Sequence, residues 1–387
     1  MGLMRSLKYK TLIHMFILPI CMYIVLKSAR KEAPEIKEIT RFLTDVKHIL
    51  LWTDIHGLEP EGQTYFLNKK CEYINCYFTK NKSLFGDIGY FDLILFNVQD
   101  VSRHTKHLPR SRIYNQKYVF VANDSADNYP VCDAIYDDFF NWTWTYRYDS
   151  TISYRFITIY NSAYEELGSH FQWKRNMKPI DEKIKSQLST KSKAAIIFLD
   201  KCFSRSRREI FLGELKKELQ KLNLEADIFG KCGTKDCRRR TMQPCYWRVK
   251  KMYYFYLAFE DSKSLDYISD IVLNAYNNYA VPIVYGGADY DRFLPPGSYI
   301  DAGNKSMLDL ARNMHNIIHN RELYYDFFRW QNHYIISKSS PVDACELCAF
   351  VNYPARLIHR SSYKKFRKWW NPEFERRCEE SNQYSML

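Results

Sequence analysis

Between Met252 and Gly287 apolar runs alternate with polar turns in a pattern that predicts three consecutive elements. Met252–Phe259 is an aromatic and aliphatic run of strand length, followed by the polar turn Glu260 to Ser264. From Leu265 onward Ile268, Ile271, Val272, Ala275, Tyr276 and Tyr279 recur every three or four residues, which predicts a helix with one buried face. Val281–Tyr285 predicts a second buried strand, closed by Gly286-Gly287. Strand, helix and strand in about 35 residues make a βαβ unit with parallel strands and a right-handed crossover. Ligands in such sheets sit beyond the carboxyl ends of the strands, so both polar turns mark a candidate site.

Elsewhere the pattern predicts strands at His48–Thr53, Phe91–Asn97 and Lys117–Ala122. After a lysine-rich polar stretch carrying Pro179 come a strand at Ala194–Leu199 and a helix over Ser206–Leu222. Ile210, Leu212, Leu215, Leu219 and Leu222 form its buried side, and a strand at Ala226–Phe229 follows. This is an α/β chain with two Rossmann-like domains, at 47–175 and 193–350, joined by a linker at 176–192 and followed by a basic, aromatic tail at 351–387. Residues 11–26 are a long uncharged apolar run. Extended to Lys27, whose amine can snorkel, the run suits a transmembrane helix of a thin bilayer. Ser28-Ala29-Arg30 is a poor cleavage site, so an uncleaved signal-anchor at 11–27 is expected, with a cytoplasmic tail at 1–10 and a stem at 28–46.

Composition narrows the partners. The 387 residues include 31 Tyr, 24 Phe and 8 Trp, enough apolar surface for two cores. The net charge of +13 is scattered, its densest groups being Arg205 to Arg208, Arg238 to Arg240 and Lys364 to Lys368. No zinc-finger spacing or RNA-recognition signature accompanies them, so a nucleic-acid partner is not expected. The eleven cysteines include the close groups Cys71/Cys76, Cys232/Cys237/Cys245 and Cys345/Cys348, read as disulfides of an oxidising lumen. Asn81, Asn123, Asn141 and Asn304 open Asn-x-Ser/Thr sequons, which permit a luminal location.

Several motifs resemble the α1,3-fucosyltransferases of glycosyltransferase family 10, over roughly residues 48 to 350. Tyr253, Phe255 to Glu260, Ser262, Asp266 to Ile268, Asn274, Ala275, Val281, Pro282, Val284 and Gly286 match the family's donor-binding motif. Phe140 to Ser150, FNWTWTYRYDS, is close to its FNWTxTYRxDS segment. Cys71 to Thr79, Pro109-Arg110 and Gln116 to Ser125 resemble further family segments. Cys232, Cys237 and Cys245, with Cys345-x-x-Cys348-Ala349, resemble the cysteine pattern of invertebrate and plant members that modify the N-glycan core.

The resemblance implies a two-lobed GT-B fold and inverting transfer of fucose from GDP-fucose to an N-acetylglucosamine-containing glycan. It implies a type II protein of the Golgi membrane, with its catalytic part in the lumen. Such a transfer needs a general base on the acceptor hydroxyl and positive charge at the departing diphosphate. The base position matches Asp124, one methylene shorter than the family's Glu; Arg208 matches the diphosphate arginine. The family's diphosphate lysine has no counterpart, because Asp266-Tyr-Ile-Ser-Asp270 is followed by Ile271. Tyr253, Glu260, Asp261, Tyr267 and Asp270 fall on the donor side, Asp261 replacing the family's Asn. Arg147 and Asp149 fall on the acceptor side, where an internal salt bridge is the competing reading. Asp289-Tyr-Asp291 imitates a metal motif outside its usual context; no metal and no cofactor beyond the donor are expected. Homo- or hetero-oligomers with Golgi glycosyltransferases are compatible with this reading. The departures leave a second one, an inactive homologue that binds glycans or partner glycosyltransferases.

Overall fold

The computed structural model describes residues 46–384 except 104–107, 110–111, 114, 169–170, 237–241, 340–342 and 360. The expected span at 11–27 therefore lies outside the described residues. Within them no helix is long and apolar enough to cross a membrane.

Six strands form the first sheet: β1 (Lys47–Leu51), β2 (Cys76–Thr79), β3 (Leu93–Asn97), β4 (Lys117–Ala122), β5 (Trp142–Thr145) and β6 (Ile152–Ser153). They run in the order 2-1-3-4-5-6 with every pair parallel. β7 (Ile157–Asn161) leaves this sheet. The second sheet comprises β8 (Lys193–Phe198), β9 (Ala226–Phe229), β10 (Tyr253–Phe259), β11 (Val281–Tyr285) and β12 (Ile300–Asp301), in the order 12-11-10-8-9, again all parallel. Counted from its own first strand, the second sheet repeats the 2-1-3-4-5 order of the first. β13 (Tyr334–Lys338) returns to pair with β7 antiparallel. The fold is α/β, and both sheets belong to one compact unit, Lys47–Leu387.

Because successive strand residues face opposite sides, each sheet is apolar on both faces. In the first, Ile49, Leu51, Leu93, Leu95, Val119 and Val121 pack on one side; Leu50, Ile94, Phe96, Tyr118 and Phe120 pack on the other. The C-terminal part of the chain covers both. Leu347, Cys348 and Val351 of the helix Ala344–Val351 join the first cluster, whereas Phe366 and Trp370 of the helix Phe366–Trp370 join the second. The segment read as the end of the second domain thus supports the first sheet. In the second sheet, helices Arg208–Lys221 and Met307–His319 cover one face, and β13 and the helix Met242–Met252 cover the other.

Two expectations are corrected. The helix predicted from Leu265 is confined to Leu273–Tyr276, preceded by a 3₁₀ turn at Asp270–Val272. Asp266 sits at φ 60°, a left-handed conformation that no right-handed helix contains, and Ser269 caps the turn that follows. Ile210 is 54% exposed, because the buried stripe of its helix runs through Arg208, Leu212, Leu215 and Leu219. Four disulfides join cysteines that do not share a close group: Cys71–Cys345, Cys76–Cys348, Cys132–Cys378 and Cys202–Cys232. Cys345 and Cys348, three apart on one helix, share a face and meet the same partner segment. Cys245 is disulfide-bonded, and Cys237 lies outside the described residues.

Candidate functional site

In an open parallel sheet of order 2-1-3-4-5, the strand order reverses between the first and third strands, and their carboxyl-end loops splay apart there. In the second sheet those strands are β8 and β10. The loop after β8 carries Asp200, Lys201 and Cys202, and the loop after β10 begins with Glu260 and Asp261. The loop after β4 of the first sheet, Asn123 to Asn128, faces them. Asp127 N donates to Ser264 Oγ at 2.9 Å, and Lys263 N donates to Asp127 Oδ2 at 2.9 Å. Gly287 lets the loops approach, since a Cβ there would meet the Lys263 carbonyl oxygen at 2.1 Å.

Four polar side chains from three loops form a continuous row. Lys201 Nζ lies 2.8 Å from Asp261 Oδ2, and Asn128 Nδ2 donates to Asp261 Oδ1 at 3.0 Å and to Asp124 Oδ1 at 3.2 Å. Ser125 N donates to the same Asp124 oxygen at 2.6 Å. Asp124 Oδ2 has no protein partner among the described residues. Burial raises the Asp124 carboxyl above its ordinary range and Asp261 adds to this, against the Ser125 and Asn128 hydrogen bonds and the Lys201 charge. A half-buried carboxylate with one oxygen held and the other open can accept a proton from a bound hydroxyl.

Behind this row lies a buried layer. Glu260 accepts from Ser269 N at 2.8 Å and from Ser269 Oγ at 2.9 Å, and burial pushes its carboxyl up to about 7. Arg208, 8% exposed, donates from Nη1 to the Phe259 carbonyl at 2.7 Å, and its buried Nε has no partner among the described residues. Ser206 Oγ donates to the Glu260 carbonyl at 2.7 Å, which brings the start of the helix Arg208–Lys221 against the β10 loop.

Other candidates fall away from this row. Tyr253 stands at the amino end of β10, the wrong end for a ligand, and its hydroxyl donates to Asp227 Oδ2. Tyr267 is buried in the first sheet's aromatic cluster, 5.0 Å from the Tyr146 ring and 5.5 Å from Phe156. Asp270 pairs with Lys338 of β13 at 2.5 Å. Arg147 grips Asp149 with two hydrogen bonds of 2.9 Å, stacks on Trp369 and donates to its carbonyl. Trp369 Nε1 donates back to Asp149 Oδ2 at 2.9 Å, so this pair fastens the C-terminal segment to the end of β5. Asn141 is buried, accepting from Tyr118 N at 2.9 Å while donating to the Ser361 carbonyl at 2.8 Å. Asn81 and Asn304 are exposed, and Asn123 is half-buried beside Asp124. Lys201 and Asn128 were not singled out by sequence; a lone lysine after a strand and an Asn in a turn carry no signal of their own.

A cavity of about 770 Å³ is lined in part by Tyr146, whose hydroxyl accepts from Ala126 N of the β4 loop at 2.9 Å. Tyr148, Phe156, Trp173, Asp266 and Arg292 line it. Aromatic faces beside carboxylate and guanidinium groups suit an amphipathic polyhydroxyl ligand, whose C–H faces stack while its hydroxyls hydrogen-bond.

Comparison with known proteins agrees along the chain. The profile described as fucosyltransferase, N-terminal, matches residues 44–157, and that described as glycosyltransferase family 10 (fucosyltransferase) C-term matches residues 188–369. The chain is 29% identical over 345 residues to alpha-(1,3)-fucosyltransferase C of Drosophila melanogaster, covering 85% of this chain and 79% of the relative. It is 29% identical over 337 residues to glycoprotein 3-alpha-L-fucosyltransferase A of the same organism, covering 84% of this chain and 60% of the relative. A crystal structure of alpha1,3-fucosyltransferase with GDP-fucose aligns at 12% identity and a TM-score of 0.47, over 82% of this chain and 92% of that one. With two profiles of one family matched in order along most of its length, the chain belongs to glycosyltransferase family 10, the fucosyltransferases.

Proposed function

We propose that the chain transfers L-fucose from GDP-fucose, with inversion, to the 3-hydroxyl of an N-acetylglucosamine in a glycoprotein N-glycan. The acceptor oxygen attacks fucose C1, the bond from C1 to the β-phosphate oxygen breaks, GDP leaves, and the acceptor proton passes to Asp124 Oδ2. The observation that carries this reading is the half-buried Asp124, with one oxygen held and one open, facing the β8–β10 switch point. A carboxyl raised by burial is a stronger base than one in water. The donor lies over the carboxyl ends of β8 and β10, with Arg208 and Glu260 supporting its diphosphate and ribose, Asp261 at its edge and no metal required; the acceptor occupies the cavity beside Tyr146 and Tyr148. The repeated strand order supports a GT-B arrangement. Residues 11–27 anchor the chain in the Golgi membrane with the sheets in the lumen, where the disulfides are stable.

The test is fucose transfer by the full-length chain, in detergent, to an N-glycan acceptor. Asp124→Asn keeps the size and removes the base, and kcat is expected to fall roughly 10²- to 10⁴-fold with GDP-fucose binding retained. Binding of GDP-fucose by the wild-type chain without transfer to any N-glycan would instead support a glycan-binding homologue.

A further inference from the structure

The row of side chains at the switch point begins with a cation. Lys201 follows β8, its side chain is 53% exposed, and its ammonium is held by Asp261 at 2.8 Å. Its backbone is fixed on both sides. Cys202 is bonded to Cys232 in the turn after β9, and Lys231 N donates to Asp200 Oδ1 at 3.2 Å. Only the side chain is free to swing. Arg208 lies deeper, its Nη1 committed to the Phe259 carbonyl, and Arg205 pairs with Glu380 at 3.2 Å.

Asp261 puts a full negative charge where an anionic leaving group would develop more. Left uncompensated, that arrangement opposes both binding and departure of a diphosphate. Lys201 cancels it, and because the lysine is half-exposed it can exchange one anionic partner for another without the cost of burying a charge. We propose that Lys201 is a donor-binding catalytic residue: Asp261 holds its ammonium in the free protein, and on donor binding it turns to the diphosphate and neutralises the charge that grows there as the glycosidic bond breaks. Asp261 then keeps Asn128, which steadies the Asp124 oxygen that does not take the proton. One row couples the leaving group to the base. The inference rests on the proposed function for the identity of the donor.

The test uses the full-length chain and two probes, GDP and guanosine, besides GDP-fucose turnover. Lys201→Met keeps the aliphatic stem, and at an exposed position it is expected to leave the melting temperature unchanged. Its expected effects are a fall in kcat/KM of roughly ten- to a hundredfold and roughly tenfold weaker GDP binding, with guanosine binding unaltered. Lys201→Arg should recover most of the loss. Asp261→Asn should tighten GDP several-fold in the wild-type background, and that gain should shrink when Lys201 is Met, a coupling that a merely structural lysine would not produce. Wild-type GDP binding and turnover in Lys201→Met would overturn the role of Lys201 while leaving the proposed function standing. A wild-type chain that neither transfers fucose nor binds GDP overturns both. If it binds GDP without transferring, the GDP and guanosine comparison still decides.

Discussion

The two sheets share a strand order and differ at the point where that order reverses. In the second sheet the β8–β10 edge carries the pair Lys201–Asp261, its lysine half-exposed. At the equivalent β1–β3 edge of the first sheet, Asn97 N donates to Thr53 Oγ1 at 2.7 Å and Asn97 Nδ2 donates to the Asp54 carbonyl at 2.7 Å. Asp54 itself pairs with Lys80 at 2.5 Å. The loops at that edge bond to one another, and the carboxylate of the first sheet that meets the second, Asp124, comes from the β4 loop instead and reaches Asp261 through Asn128. Topology proposes a ligand edge, and hydrogen-bond saturation decides whether the edge is used.

The largest expected effect concerns what holds the β4 loop in place. Asp127 is buried and receives two hydrogen bonds from Arg377, Nε to Oδ1 at 3.0 Å and Nη2 to Oδ2 at 3.1 Å, besides the Lys263 amide. Arg377 belongs to the helix Phe374–Tyr384, which Cys378 also ties to Cys132. Arg377→Met leaves a buried carboxylate without its charge partner, and the loss in denaturant-measured stability should be about 3–5 kcal/mol. Adding Asp127→Asn should return part of it. A loss below about 1 kcal/mol would show that the C-terminal helix does not organise the Asp124 loop.

That clamp marks the boundary of what the chain pattern can disclose. The strands at Lys117–Ala122, Ala226–Phe229 and Val281–Tyr285 have the expected bounds, because a continuous apolar run between polar turns is a local signal. The base candidate Asp124 was legible only because its neighbours resemble a family segment. Arg377, Lys201 and Asn128 were not, since their significance lies in partners up to 250 residues away and nothing local separates them from solvated surface. The same distance hid the disulfide pairing and the support given by Trp370 to the first sheet. Arg147 and Asp149 form the internal salt bridge that is the competing reading of their motif, and they fasten the tail through Trp369.

A second way to sharpen the contrast uses pH. Glu260 lies under the open edge, and burial pushes its carboxyl from an ordinary value near 4.5 up to about 7. The folded state therefore holds this proton more tightly than the unfolded state does. Its stabilising contribution is complete below about pH 4.5 and is lost as pH rises through about 7. Glu260→Gln removes the titration and can still accept from Ser269. Relative to wild type, the variant should gain about 1–3 kcal/mol of stability between pH 5 and pH 7.5. Parallel stability curves for the two proteins across that window would mean that Glu260 is ionised throughout.

The smallest effect tests the closed edge. Asn97 donates to the Asp54 carbonyl and also accepts from Gln99 N at 3.1 Å, capping the turn Val98–Val101. Asn97→Ala removes both bonds and leaves a carbonyl to be satisfied by water, for an expected cost of about 1–2 kcal/mol. The cost should appear in the denaturation midpoint alone, with kcat and the KM for GDP-fucose within twofold of wild type, because the partners of Asn97 among the described residues are Thr53, Asp54 and Gln99, none of them in the Lys201–Asp124 row. A tenfold fall in kcat at unchanged stability would mean that the β1–β3 edge takes part in the reaction, and the two switch points would then have to be read as one divided site. Stability loss without a kinetic effect leaves the division of labour intact: one switch point exposes charge for a ligand, and its twin spends the same position on holding its own loops closed.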